Sequence, residues 1–381
     1  MQFKQIVGQH DVKQRLLNSV KENRVSHAQL FLGPEGSGSL ALAVAYAQYV
    51  SCENRLADDS CGECASCRKY QKLAHPDLHF SYPFFAKHKD DTALTFIEQW
   101  RAALLANPYL SLDIWRGYLE AENKQANINI AECHQVIKKL SLKPFESAYK
   151  ILIMWLPEFL DKEGNALLKI IEEPQPNTLF LLVAQNQDQI LNTILSRTQL
   201  VKIPPPGYEE VKSFLISAHH QTEHAAGEIA YLSNGNLTEA LNMLQQDDNG
   251  YHQQFVQWLR LCVTNKGQEV IGFTDGLAKL GRENQKNFLR YGISFIREIC
   301  LIVSGAGNLV KLPPAELETA EKMAKLITAR MAEAIGDELE KAHYHVERNA
   351  NPKILFLDVS LQLIKILYFK TFPTGAQYIP T

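Results

Sequence analysis

Four cysteines and one glycine-rich loop are the parts of this 381-residue chain whose types and spacing could do chemistry. Cys52, Cys61, Cys64 and Cys67 are separated by eight, two and two residues. Two overlapping Cys-x-x-Cys steps plus a fourth thiol supply all four ligands of a tetrahedral site, and Gly62 permits the tight turn such a knuckle needs. With every position filled by protein, no open coordination site is left for catalysis, so the cluster points to a structural metal. Zinc is the natural ion for four thiolates, and iron fits the same chemistry. A redox pair would use two of these thiols and leave two idle. Cys133, Cys262 and Cys300 fall in apolar helical contexts and are expected as small core residues.

The loop reads Gly33-Pro34-Glu35-Gly36-Ser37-Gly38-Ser39-Leu40, between an apolar strand and an alanine-rich helix. Strand, glycine loop and helix form the context of a Walker A phosphate loop, with Gly33 and Gly38 at the motif's glycine positions and Gly36 between them. Ser39 and Leu40 stand where that motif has Lys and Ser/Thr. The lysine would neutralise the β/γ-phosphates and the hydroxyl would hold Mg²⁺, and neither replacement can do so. No Lys or Arg occurs between Val25 and Asn54 to substitute. The apolar run Lys150–Leu156 should end in Mg²⁺-holding acids but ends Trp155-Leu156-Pro157, with Glu158 the first acid. Losing both the cation and the metal ligands removes the main stabilisers of phosphoryl transfer, so neither ATP hydrolysis nor ATP binding is expected. The plain alternative is a turn in an α/β fold that never bound nucleotide.

The elements that would position these residues alternate over 1–205. Gln29–Leu32, Ile151–Leu156 and Leu179–Ala184 are short apolar runs, as in parallel strands covered on both faces. Helical patterns lie at Gln9–Glu22, Leu40–Tyr49, Ile130–Leu140 and Lys162–Ile171. The expectation is an α/β P-loop domain with a parallel sheet. Pro204-Pro205-Pro206-Gly207 breaks the pattern. A small lid of three helices is expected over 206–249, near Glu209–Ala218, His224–Leu232 and Leu237–Gln245, followed by an all-α domain over 250–381. There, Asn284–Val303 is apolar on much of its circumference and Pro352–Lys370 nearly all round, which calls for burial in a bundle or at a subunit interface.

A hydrophobic share of 46% is that of an ordinary globular protein, and the formal charge of −3 excludes bulk attraction to nucleic acid. The longest apolar run, Ile354–Phe369, is interrupted by Asp358 and Lys365, so no membrane span is expected. The opening Met-Gln-Phe-Lys-Gln-Ile has no signal pattern, and a cytoplasmic location is expected, where cysteines serve as thiols or metal ligands.

Phe3-Lys4-Gln5-Ile6-Val7-Gly8-Gln9 with Ser26-His27-Ala28-Gln29-Leu30-Phe31 resembles the opening of bacterial clamp-loader subunits of the AAA+ class. The cysteine module is similar to the zinc module of that family's gamma/tau and delta-prime branches. Asn165-Ala166-Leu167-Leu168-Lys169-Ile170-Ile171-Glu172-Glu173-Pro174 resembles the helix after Walker B, and Ser196-Arg197-Thr198 the Ser-Arg-Cys motif with Thr198 replacing Cys. Gly235–Leu241 resembles the sensor-2 segment, with Thr238 where an ATP-binding member has Arg. The resemblance spans 1–245; beyond it only helical character fits, as the expected collar. It implies the delta-prime branch: a non-hydrolysing stator within the DNA polymerase III holoenzyme. That stator supplies Arg197, beside Ser196, as an arginine finger to a neighbouring ATPase. It also implies the partners: gamma/tau and delta subunits, and through the complex the sliding clamp and primer-template DNA near the nucleoid. A planar guanidinium suits that task better than an ammonium. The competing readings are an active gamma/tau-type ATPase, a zinc-dependent nucleic-acid-binding module, and a homo-oligomeric scaffold.

The resemblance does not account for 79–130, read as an insertion with helices near Leu94–Leu105 and Leu112–Glu122. It carries His79, Phe80, Tyr82, Phe84, Phe85, Lys87, His88 and Lys89, then Trp100 and Trp115. Interleaved aromatic and basic residues can stack on single-stranded bases, but two lysines followed by Asp90-Asp91 give a weak electrostatic term. Anchoring of the insertion by its aromatics is the favoured reading.

Overall fold

The computed structural model describes residues 1–86, 88, 90–121, 125–245, 250–310, 312, 314–348 and 350–371. It divides into two compact units, Met1–Met243 and Leu244–Thr381.

The first unit is built on a five-stranded parallel sheet: β1 Ala28–Leu32, β2 Leu78–Ser81, β3 Lys150–Trp155, β4 Thr178–Ala184 and β5 Gln199–Lys202. The spatial order is β2-β3-β4-β1-β5. The two strands before the phosphate loop and at the Walker B position, β1 and β3, therefore flank β4, and their carboxyl ends lie side by side, where open α/β sheets bind ligands. β3 and β4 are buried throughout, and their alternate residues divide between two cores. Ile151, Ile153, Trp155, Leu179, Leu181 and Val183 face one core, and Leu152, Met154, Phe180, Leu182 and Ala184 face the other. Covering both faces is what makes these strands read as continuous apolar runs. The edge strands β2 and β5 are four residues each and carry polar side chains, so they lack that signal. His79, Phe80 and Ser81, which the sequence reading grouped with 79–130, belong to the sheet.

Helices α1 His10–Lys21 and α2 Ser39–Ser51 cover the first core, and every residue of α2 is buried. After α3 Ala65–Gln71 come α4 Ile97–Ala106 and α5 Leu112–Tyr118, which bring Trp100 and Trp115 into the same core. Tyr82 stacks on Trp100 at 4.0 Å, and Trp115 meets both rings edge-on at 5.3 Å. The Tyr82 hydroxyl donates to Ala93 O at 2.6 Å and Trp115 Nε1 to Pro83 O at 2.7 Å. Phe80, Tyr82, Phe84, Phe85, Trp100 and Trp115 are all buried. Buried in the core, they offer no face to a base; Lys87, Lys89 and Glu122 lie outside the described residues. On the opposite face, α6 Ile130–Leu140 packs Cys133, Val136 and Leu140 into the second core.

The expected helix Lys162–Ile171 takes a different form. A 3₁₀ segment runs Pro157–Leu167 with a break at Asp161 (φ 46°, ψ −140°), and α7 covers only Leu168–Glu172. The positive φ of Asp161 interrupts the ladder, and regular α geometry resumes at Leu168. α8 Asn192–Leu195 precedes β5. Then α9 Tyr208–His219, α10 Glu223–Ser233 and α11 Leu237–Gln245 form the three helices expected as a lid.

The second unit is helical: α12 Tyr251–Val263, α13 Gly267–Ala278, α14 Arg282–Val303, α15 Pro314–Ala324, α16 Ala329–Glu347 and α17 Pro352–Leu367. α14 packs on α16, and α17 on α12, α13 and α16. α14 buries Phe288, Leu289, Phe295, Ile296 and Ile299, as its pattern requires. α17 is not buried all round. It buries Phe356, Val359, Leu363 and Ile366 but leaves Ile354 and Leu361 exposed, with Tyr368 just past its end, seven residues further on, exposed as well. Among the described residues no helix is long and apolar enough to cross a membrane.

Candidate functional site

The four cysteines converge. Cys52 follows α2, Cys61 and Cys64 flank a loop turned by Gly62 (φ +79°), and Cys67 sits in the first turn of α3. Their Sγ atoms all lie within 4.8 Å of one another, with Cys52–Cys61 at 3.6 Å and Cys61–Cys67 at 3.9 Å. Four sulfurs about 2.3 Å from a central zinc would stand about 3.8 Å apart, so the cage fits that ion. Backbone amides already point at the sulfurs: Cys61 N to Cys52 Sγ and Cys64 N to Cys61 Sγ at 3.3 Å, and Cys67 N to Cys64 Sγ at 3.4 Å. Burial opposes ionisation of Cys61, but the amides of Cys64 and Glu63 together with the thiols of Cys52 and Cys64 outweigh it and bring the thiol down to about 7. The module is tied to the chain's first turn: Asp59 accepts the amides of Phe3 and Lys4 at 3.0 Å, and Gln2 Nε2 donates to Ser60 O at 2.6 Å.

The phosphate loop lies at the carboxyl end of β1 and curls as its glycines permit. Gly36 (φ +74°) and Gly38 (φ +87°) both hold left-handed conformations, and Gly38 opens α2. A side chain at Gly36 would place Cβ 1.9 Å from Asn236 Oδ1, so backbone there is in close contact with the start of α11. Ser39, at the lysine position, is buried with its hydroxyl 2.8 Å from that of Ser37. Leu40, at the metal-ligand position, is in the core. The space bounded by Gly33–Leu40, Pro108–Leu110, Trp155 and Val183–Gln185 amounts to about 20 Å³, room for a water molecule and far short of the several hundred Å³ of a small-molecule site. Trp155 lines it on the β3 side. Thr238, expected from the resemblance at the sensor-2 position, donates to the carbonyl of Tyr109 at 2.6 Å.

Glu158 takes no part in this cleft. Its Oε1 accepts the amides of Gln185 at 2.6 Å and Asn186 at 2.9 Å, fastening the end of β4. Burial raises its carboxyl despite those two donors.

Arg197 lies away from the phosphate loop's lining, partly exposed just after α8. Its Nη1 donates to Thr193 O at 2.6 Å and to Ser196 Oγ at 3.1 Å, while Nε and Nη2 reach Glu172 at the end of α7. The guanidinium is thus held from two sides by Ser196 and by the Glu172 carboxylate.

Sequence reasoning missed Tyr109 and Glu172 as partners of site residues. Glu172 lay within a motif already singled out. Tyr109 carried no local signal, because only the fold brings Asn107–Ser111 onto the phosphate loop.

A sequence profile of the family described as DNA polymerase III, delta subunit, matches residues 8–207. The delta' subunit of DNA polymerase III from Escherichia coli (strain K12) is 25% identical over 327 residues, 85% of this chain and 84% of that one. The delta' subunit from Bacillus subtilis (strain 168) is 26% identical over 237 residues, 62% and 59% of the two chains. The tau subunit of the same bacterium is 23% identical over 378 residues, 93% and 60%. The chain spans 59–60% of the length of the first relatives it matches. With its parallel sheet, its glycine-rich phosphate-loop turn and more than half its length matched, the chain belongs to the DNA polymerase III delta-subunit family, as a delta-prime-like member.

Proposed function

We propose that this chain is a non-hydrolysing clamp-loader subunit that lends Arg197 to the ATP site of a neighbouring subunit. One observation carries the reading: the chain's own phosphate-loop cleft is closed to about 20 Å³ while Arg197 is presented on the surface. A guanidinium at a subunit border can stabilise charge on a neighbour's γ-phosphate, and a loop lacking both cation and metal ligand cannot do so for its own. On this reading the partners are gamma/tau-type ATPase subunits and a delta subunit, with the sliding clamp and primed DNA as the complex's substrates. The Cys52/Cys61/Cys64/Cys67 cage holds structural zinc. The lid spans 206–249 and the collar 250–381, and the protein works in the cytoplasm at the replisome.

The test is reconstitution with the cognate subunits. Arg197→Ala should leave the complex assembled and lower its DNA-stimulated ATPase; an unchanged rate would remove the finger role. The gamma/tau-type alternative draws on relatives of that kind matching at 23–24% identity. Mg-ATP hydrolysis by the purified chain, abolished by Gly38→Val, would establish it.

A further inference from the structure

One wall of the phosphate-loop cleft comes from a distant stretch of the same chain, Pro108–Leu110. Asn107–Ser111 joins α4 to α5, and Asn107 Oδ1 accepts the Tyr109 amide at 2.9 Å, shaping the turn. Tyr109 is buried. Its ring lies against Gly38, close enough that a Cβ there would stand 3.2 Å from Cε1 and 3.6 Å from Ile6. Its hydroxyl accepts the amide of Val7 at 3.1 Å. Those contacts are with the α/β core. The same residue also grips the lid: its carbonyl accepts the Thr238 hydroxyl from α11, and its ring meets Phe214 of α9 edge-on at 6.3 Å. Around it the loop itself is tied to both sides. Leu237 N donates to Gly36 O at 3.1 Å, and Gln9 Nε2 donates to Ser37 O at 3.1 Å.

A ligand closes a hinged site by contacting both halves, and it stabilises the closed state by the difference in its contacts between open and closed. Tyr109 meets that description: two partners in the core, two in the lid, and a ring against Gly38 of the phosphate loop. Its carbonyl gives Thr238 an acceptor at the position where a sensor-2 residue would otherwise meet a ligand's oxygen. We infer that Asn107–Ser111 is a built-in surrogate ligand, which fills the phosphate-loop cleft and fixes the lid on the core without nucleotide. This goes beyond the proposed role of Arg197 and does not depend on it. The closed cleft is then a property of the strap rather than of the missing lysine alone.

Hydrogen exchange on the full chain tests it. In the wild type, lid amides over Tyr208–Gln245 should exchange at the same rate with and without Mg-ATP, Mg-ADP or inorganic phosphate. Tyr109→Ala should speed lid exchange by about tenfold or more, as expected for losing two buried hydrogen-bond or ring contacts, while β3 and β4 stay protected. Should β3 and β4 also lose protection, Thr238→Val carries the test, because it removes one hydroxyl and leaves the ring in place. It should speed lid exchange by a few-fold. Slowing of wild-type lid exchange by Mg-ATP would overturn the inference. So would lid exchange that neither variant changes. Neither result bears on the ATPase of the assembled complex, which reports on Arg197.

Discussion

Glu172 and Arg197 form an ion pair across the gap between α7 and the turn after α8. Both side chains are partly exposed, so the pair contributes about 1 kcal/mol or less to stability. Its consequence is orientation: with Nε and Nη2 on Glu172 and Nη1 on Ser196 and Thr193, the guanidinium holds one pose. In the assembled complex, Glu172→Gln should lower DNA-stimulated ATPase about two- to fivefold, the scale of an exposed pair, with assembly and melting temperature unchanged. In the Arg197→Ala background it should have no added effect. Additive losses would show that Glu172 acts independently of Arg197.

The cysteine cage should hold one metal ion tightly enough to survive purification, measured by elemental analysis. Cys64→Ser should abolish that occupancy. It should also cost roughly 2 kcal/mol or more, about 4–8 °C in Tm for a unit of this size. Because Asp59 and Gln2 tie the module to Phe3 and Lys4, protease sensitivity should rise at the chain's first turn as well as over 52–67. A metal-free wild type with the same Tm would exclude a structural ion.

The strands and the cage were legible because each is written in contiguous residues. β3 and β4 are apolar after their first residues because both faces are covered, and Cys61, Cys64 and Cys67 lie within one knuckle. The edges were not legible. β2 reads Leu-His-Phe-Ser, and only pairing with β3 makes it a strand. The residues that close the cleft were the least legible. Tyr109 meets Gly38, Val7 and Thr238 from 71, 102 and 129 positions away, and no window of sequence contains such a contact.

His79 supplies a pH dependence. Burial, with the nearby charges of Lys139 and Lys150, pushes its imidazole down to about 4 from an ordinary 6.5. Folding therefore favours the neutral ring, and between these values the unfolded chain binds more protons than the native one. Stability is then complete above pH 6.5 and is lost as pH falls toward 4, by at most about 3 kcal/mol. His79→Gln should flatten denaturant-midpoint curves across that window. An unaltered slope would assign the acid sensitivity to other groups.

Restoring the missing phosphate-loop residues should not restore nucleotide binding. Ser39→Lys with Leu40→Thr returns the motif's cation and hydroxyl, but the new side chains enter a space of about 20 Å³ already bounded by Tyr109 and Trp155. Leu40 is in the core, so its change to Thr should cost about 1–3 kcal/mol, visible as a lower Tm. Equilibrium dialysis with Mg-ATP should detect no binding by this double variant. Adding Tyr109→Ala removes the ring over Gly38 and opens the route to the restored lysine, and this triple variant should bind Mg-ATP measurably. Binding by the double variant alone would mean that the absent lysine, and not the strap, keeps the cleft closed to nucleotide.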